Sequence, residues 1–347
     1  MSTSRLSGGL RILLPAAVVW VLWLTGMITG DRWHLFGEAW HMSLTMVFGS
    51  FIAGATSEGG GAVAFPVMTL LFKIPPPVAR DFSLMIQAVG MTAAALSILL
   101  ARIPVERHAL VWSSLGGLIG IILGIEVVAP LMSPPVVKMT FLAVWLAFTF
   151  ALYWINRYHD REVLTRIEGW GSRHALLLFG TGVIGGVISG LTGSGLDILT
   201  FSLLVLRFRI SEKIATPTSV ILMGLNAVVG FAWKGVFAPL LETGQAGLAA
   251  EAWQYWWVCV PIVVVGAPAG AQFIKNRSRL FVASILYVSI AVQFVAGLVI
   301  IPQTPGLVAY TTAIFLAALG MFWYMASGGV KRLEWLARKR AKLRSER

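Results

Sequence analysis

Runs of roughly 20 apolar residues recur along this chain, near 11–29, 82–100, 109–129, 138–155, 214–233, 253–272, 281–300 and 307–326. A bilayer core about 30 Å thick needs about 20 such residues per helix, and in lipid each segment must bond its own N–H and C=O groups, which makes it helical. Composition agrees: 57% apolar against 12% charged residues, with a mean hydropathy of +0.82, excludes a water-soluble enzyme, a disordered chain and a disulfide scaffold. The lone Cys259 lies in an apolar run and supplies neither an internal disulfide nor a thiolate metal site. Lys and Arg outnumber Asp and Glu by 27 to 15, but no finger spacing or aromatic-and-basic stretch accompanies them, so no nucleic-acid partner is expected. The first run is longer than a signal-peptide core and has no small-x-small cleavage site before Asp31, so it is read as a helix.

Two more apolar stretches fit no single crossing. Residues 42–72 are interrupted by Ser57-Glu58-Gly59-Gly60-Gly61, and residues 175–206 by Thr192-Gly193-Ser194-Gly195. Each is too long for one straight span and too short for two, so each is a re-entrant hairpin or a broken helix. Charge arbitrates, because cytoplasmic loops collect Lys and Arg. With two hairpins and a cytoplasmic N-terminus, only Arg32, Lys73, Arg80, Lys138 and Lys234 of the 27 basic residues lie outside. Two crossings would instead expose the Arg-rich loop 156–174. The expected fold is an all-α polytopic membrane protein of about eight full transmembrane helices plus two re-entrant or broken helical hairpins. No Lys or Arg falls in the middle of a predicted span.

The two broken stretches are copies. Displaced by 136 positions, 49–83 aligns without gaps on 185–219, with identities at Gly49/Gly185, Ile52/Ile188, Gly54/Gly190, Thr56/Thr192, Gly59/Gly195, Phe65/Phe201, Leu70/Leu206, Phe72/Phe208, Ile74/Ile210, Ala79/Ala215 and Ser83/Ser219. In the hairpin topology the first copy enters from outside and the second from inside, which makes an inverted repeat. The expected organisation is an N-terminal helix and outer loop (1–41), a first repeat (42–155), a cytoplasmic linker (156–174), a second repeat (175–300), and a last helix with a basic tail (301–347) that lies on the anionic leaflet as an amphipathic helix.

Inverted repeats with broken helices at matching positions point to a secondary transporter whose site lies near the midplane, where the breaks meet. The half-helices starting there present unpaired N–H groups that suit an anion, and the hydroxyls add donors. The substrate-binding candidates are Thr56, Ser57, Gly59, Gly60 and Gly61 in the first break and Thr192, Gly193, Ser194 and Gly195 in the second. Gln87 and Asn226, on the helices that follow, either complete the donor set or bond another helix. Glu58 and Asp197 sit at the breaks. An ionised acid in lipid is costly and must face protein or water, so both are candidate proton carriers, while Glu126 reads as interfacial. Thr216-Pro217 reads as a helix cap with proline in the first turn. The glycines spaced by four at 116, 120 and 124, at 182, 186 and 190, and at 266 and 270 read as helix-packing positions. The five His residues have no metal-ligand spacing, and no cofactor or metal is expected.

The segment GATSEGGGAVAFP (54–66), followed by its second copy, resembles the TauE/SafE family of sulfite and organosulfonate exporters. The second motif, GLTGSGLD (190–197), departs from that family in having Leu196, Asp197 and Ser202 where it has a glycine triplet and a downstream proline. The resemblance implies export of a small sulfur-containing anion, such as sulfite or sulfoacetate, driven by protons across a bacterial-type inner membrane, with both termini cytoplasmic. The alternatives are a passive anion channel and a carrier of another ion; a homo-oligomer is compatible with either. An intramembrane protease fails on partners, since Ser194 has no His at membrane depth and Asp197 no second Asp in a predicted span.

Overall fold

The computed structural model describes residues 8–56, 59–157, 163–243, 247–274 and 279–345, and every helix or bridge below belongs to these. The first repeat region contains α2 (Leu35–Ala55), α3 (Gly59–Pro66), α4 (Pro76–Leu100) and α5 (Arg107–Leu123), preceded by α1 (Gly8–Thr29). After α6 (Pro134–Asn156), the same order returns as α7 (Ser172–Thr192), α8 (Leu196–Ser202), α9 (Glu212–Ala232) and, past the short α10 (Ala238–Leu240), α11 (Ala250–Ile274). The chain closes with α12 (Arg279–Ile300) and α13 (Pro305–Ser345). Among the described residues seven helices are long and apolar enough to cross a membrane, one of them α7; the described parts of α1 and α12 are shorter apolar helices. This is a polytopic helical membrane protein.

Side-chain contacts fix the direction of each helix. Ser43 Oγ donates to Val258 O at 2.9 Å, while Phe51 and Ala55 lie against Gly270, so α2 runs parallel to α11. Trp256 Nε1 donates to Met85 O, Gln272 Nε2 to Ser97 Oγ, and Gly90 meets Val263, so α4 is also parallel to α11. A chain whose α2 and α4 point the same way must come back between them, and α3 is that return. The second half repeats the logic: Ser113 packs on Leu178 and Gly124 on Gly190, making α7 parallel to α5, while Gly117 faces Asn226 and Gly230 faces Ile121, making α9 parallel to α5. Both broken stretches are therefore hairpins that return to the face they left. Because α4 and α9 are antiparallel, with Asp81 on Lys234 and Met91 on Gly224, the hairpins enter from opposite faces. We call the face where α1 begins proximal and the other distal.

The hairpin exits match atom for atom. Each short arm ends in a π turn, Val67–Leu71 and Leu203–Arg207. Phe72 N–H then bonds Val67 O as Phe208 N–H bonds Leu203 O, and Ile74 N–H bonds Met68 O as Ile210 N–H bonds Leu204 O. Between them Lys73 (φ 56°) and Arg209 (φ 58°) sit in the left-handed region, which disfavours a side chain. The same strained stop, 136 positions apart with different residues, extends the repeat beyond shared hydrophobicity. Structural equivalence also continues through α4 and α9, past Ser83 where the sequence match fades.

Small residues set the closest contacts, as the glycine spacing anticipated. A methyl on Gly120 would lie 2.9 Å from Val183 C and 3.0 Å from Gly186 Cα, so α5 and α7 touch backbone to backbone. A methyl on Gly54 would run into the Ala267 carbonyl. In α11, Pro261 has no N–H for the Trp257 carbonyl, and Trp23 Nε1 donates to that oxygen at 2.7 Å. With Trp20 Nε1 on Pro261 O, this pins α1 antiparallel to α11. Trp23, Trp33, Trp253, Trp256 and Trp257 gather at the distal end. The basic tail differs from expectation: its helix is the unbroken continuation of α13, 41 residues long, and a helix continuous with a span leaves the bilayer along its own axis instead of lying flat.

Candidate functional site

The second hairpin turns at Gly193, whose φ of 86° places it where a Cβ is disfavoured. Its N–H bonds Ser189 O at 2.7 Å. Thr192 Oγ1 donates to Ser194 O at 2.9 Å, and Ser194 Oγ donates to both oxygens of Asp197 at 3.2 and 3.1 Å. Gly195 N–H bonds Asp197 Oδ1 at 2.8 Å, and Leu196 N–H bonds Ser189 Oγ at 3.1 Å. The donors anticipated for a solute are thus engaged by the chain itself, with the Asp197 carboxyl, 1% exposed, reaching back from the first turn of α8 to the Gly195 N–H. Gln87 joins this turn: Nε2 donates to Gly193 O at 2.7 Å and to Ser83 O at 2.9 Å. Gln87 Oε1 and Ser83 Oγ are buried without a hydrogen-bond partner among the described residues. Asn226 lies beside α8 instead, facing Gly117 where Leu196 also packs; its Oδ1 is likewise buried and unpartnered.

At the first hairpin, Thr56 caps α2, with its N–H and Oγ1 both bonded to Ile52 O at 2.9 Å. Ser57 and Glu58 lie outside the described residues, and Gly59–Gly61 open α3. The end of α2 borders a cavity of about 390 Å³ on the proximal side, lined by Gly54, Ile98, Arg102, Lys213, Thr216 and Pro217 among others. Glu212 also lines it. Here Pro217 sits in the second turn, not the first, because α9 begins at Glu212. It therefore deprives the Lys213 carbonyl of its helical N–H partner.

The two turns do not meet at one level. The first lies beside Ala267 and the end of α4, whereas Gly193 touches Arg80, Ser83 and Gln87 near the start of α4, roughly 15 Å away at 1.5 Å rise per residue. The reason is arm length. Each long arm has 21 residues, about 30 Å of helix, so each passes the midplane of a bilayer about 30 Å thick. A single cradle formed by both turns is replaced by one turn near each face.

Charge at depth was the larger omission. Arg80, Asp81 and Lys234 are 3%, 1% and 5% exposed, although the sequence places Arg80 and Lys234 in outer loops and leaves Asp81 beyond the span. Arg80 Nη2 and Nε donate to Asp81 Oδ1 at 3.0 and 3.1 Å, and Lys234 Nζ to Oδ1 and Oδ2 at 3.0 and 2.9 Å. Ala249 N–H adds a bond to Oδ2 at 3.1 Å. The second buried Asp that an aspartyl protease would need therefore exists, but cations occupy its oxygens. Glu126 is half-buried at the distal end of the α5 continuation, accepting from Trp233 Nε1 at 2.8 Å and from Thr243 Oγ1. The available signal was helix start and length: three prolines at 75–77 begin α4 early, and a π turn, Trp233–Phe237, extends α9.

Displaced by 136 positions, Arg80 corresponds to Thr216, Asp81 to Pro217, and Lys234 to Ile98. Those three counterparts all line the proximal cavity. One crossing of α4 and α9 is closed by ions, and the equivalent crossing is open.

A family model described as sulfite exporter TauE/SafE matches residues 42–296. No curated protein and no solved structure matches the chain.

Proposed function

The chain belongs to the TauE/SafE sulfite exporter family, and from that premise we propose a secondary transporter that exports a small sulfur-containing anion, sulfite or an organosulfonate such as sulfoacetate, coupled to protons. The observation that carries this reading is the asymmetry of the two α4–α9 crossings, open on the proximal side and filled on the distal side. A cavity at the proximal crossing and an ion-filled distal crossing are the asymmetry that an alternating-access carrier requires.

In this reading the proximal face is cytoplasmic, which agrees with the loop charges. An anion enters past Arg102 and Lys213, whose charge raises its local concentration. It is held at the first turn by Thr56, Ser57 and the Gly59–Gly61 backbone, at the start of α3. The second turn, with Thr192, Gly193, Ser194, Gly195 and Gln87, forms the later part of the path, and Asn226 lines it beside α8. The Asp197 carboxyl accepts from neutral donors, Ser194 Oγ and Gly195 N–H, so a change of protonation there re-forms the turn. Glu58 or Asp197 carries the proton.

The test is uptake of labelled sulfite and sulfoacetate into proteoliposomes with and without a pH gradient. The reading expects saturable uptake that the gradient drives. Indifference to the gradient removes proton coupling, linear uptake without saturation favours a passive channel, and no flux of either solute removes the substrate class.

A further inference from the structure

Resting on the transporter reading above, we propose that the Arg80–Asp81–Lys234 cluster is the distal gate, opened when the transported anion takes the place of the Asp81 carboxylate on the two cations. Two observations converge. The counterpart positions Thr216, Pro217 and Ile98 surround open space, so the backbone crossing leaves room and the charged side chains close it. Two cations share one carboxylate in direct contact, and the next acid, Glu126, is held by Trp233 Nε1 and Thr243 Oγ1 instead, so the closure of this crossing depends on Asp81. An anion arriving from within can take over the bonds of Arg80 and Lys234 and release Asp81 without stranding either cation.

The cluster is also connected to both moving parts that a gate requires. Arg80 lines a second cavity of about 140 Å³ on the distal side, together with Leu191, Pro130 and Met132. Its carbonyl oxygen lies 3.2 Å from where a side chain on Gly193 would begin, so movement of Arg80 is felt at the turn of the second hairpin. Asp81 additionally holds the Ala249 N–H, immediately before α11, so its release frees the distal end of the helix against which α2 packs. The exchange forms and breaks ionic hydrogen bonds only; no covalent bond changes.

The gate is tested by thiol labelling in lipid nanodiscs, on a Cys259→Ala background that removes the single native cysteine. Ser83→Cys, buried behind the cluster, reports distal access, and Ile103→Cys, on the wall of the proximal cavity, reports proximal access. With a membrane-impermeant maleimide and no substrate, Asp81→Asn is expected to raise the Ser83→Cys labelling rate about tenfold or more, by shifting the population toward the distal-open form. Should Asp81→Asn not yield monodisperse protein, Asp81→Asn/Lys234→Gln removes a carboxylate and a cation together and is read in the same way. A Ser83→Cys rate unchanged in the folded variant overturns the gate. A raised rate with a fall at Ile103→Cys supports both the gate and alternating access; a raised rate with Ile103→Cys unaltered supports the gate while overturning alternating access.

Discussion

Lys234 Nζ and the Asp81 carboxylate are separated by 153 positions in the chain and by 2.9 Å in space. The positions one repeat away, Ile98 and Pro217, line an open cavity. An ion pair on one side of a pseudo-two-fold axis and a hollow on the other is a broken symmetry. It distinguishes the proximal from the distal side of a fold whose backbone treats them alike.

That ion cluster also bears on stability. Lys234→Ala leaves the carboxylate with Arg80 as its one cation and the Ala249 N–H, and is expected to cost about 3–5 kcal/mol, the usual consequence of removing one partner from a buried pair. The double variant Asp81→Asn/Lys234→Ala is expected to cost less than the sum of its parts, by about 0.5–3 kcal/mol for directly interacting residues. Thermal unfolding in detergent reads both; strict additivity would show that the pair is not coupled.

Gly54 and Gly180 give a paired test of close approach. Gly54→Val pushes a side chain into the Ala267 carbonyl, whereas Gly180 in α7 has nothing within 4 Å of an added methyl. Gly54→Val is expected to abolish recovery of monodisperse protein. Gly180→Ala is expected to be neutral or to stabilise by up to about 1 kcal/mol through helix propensity. Equal behaviour of the two in size-exclusion recovery and unfolding would contradict the packing described.

Gln87→Met installs the residue found at the repeat-related position 223. It removes the bond to Gly193 O, leaving a buried carbonyl unpaired at a cost of about 1–3 kcal/mol. The expected result is a lower unfolding midpoint together with faster cleavage or exchange confined to residues 190–197, read by hydrogen–deuterium exchange. A global increase in exchange without local emphasis would place Gln87 in general packing instead.

Asp197→Asn preserves the shape of the second turn and an acceptor for Gly195 N–H while removing the titratable group. In proteoliposomes it is expected to eliminate the response to a pH gradient while leaving anion exchange measurable. Retention of gradient-driven uptake at the native level would remove Asp197 from proton coupling and leave Glu58 as the carrier.

Several features could be read along the chain because they are local. Lipid admits only segments that satisfy their own backbone, so apolar length marked the crossings. The glycine-rich interruptions marked the turns, and the 136-residue displacement marked the copies. The spacing of glycines 116, 120 and 124 against 182, 186 and 190 even anticipated the α5–α7 seam. The placement of Arg80, Asp81 and Lys234 was not legible, because a hydropathy window ends a span where charges begin, whereas paired charges allow the helix to continue through them.

The amino-acid order by itself determined the helical class, the two interrupted stretches and their opposite orientation, since each follows from short-range pattern and the solvent that surrounds it. Tertiary structure alone decided how deep each turn reaches, that Asp197 occupies the donors of its own turn, and which side is closed. Those depend on the crossing of α4 and α9, where residues more than a hundred positions apart either find an ionic partner, as Asp81 and Lys234 do, or leave a hollow, as Pro217 and Ile98 do.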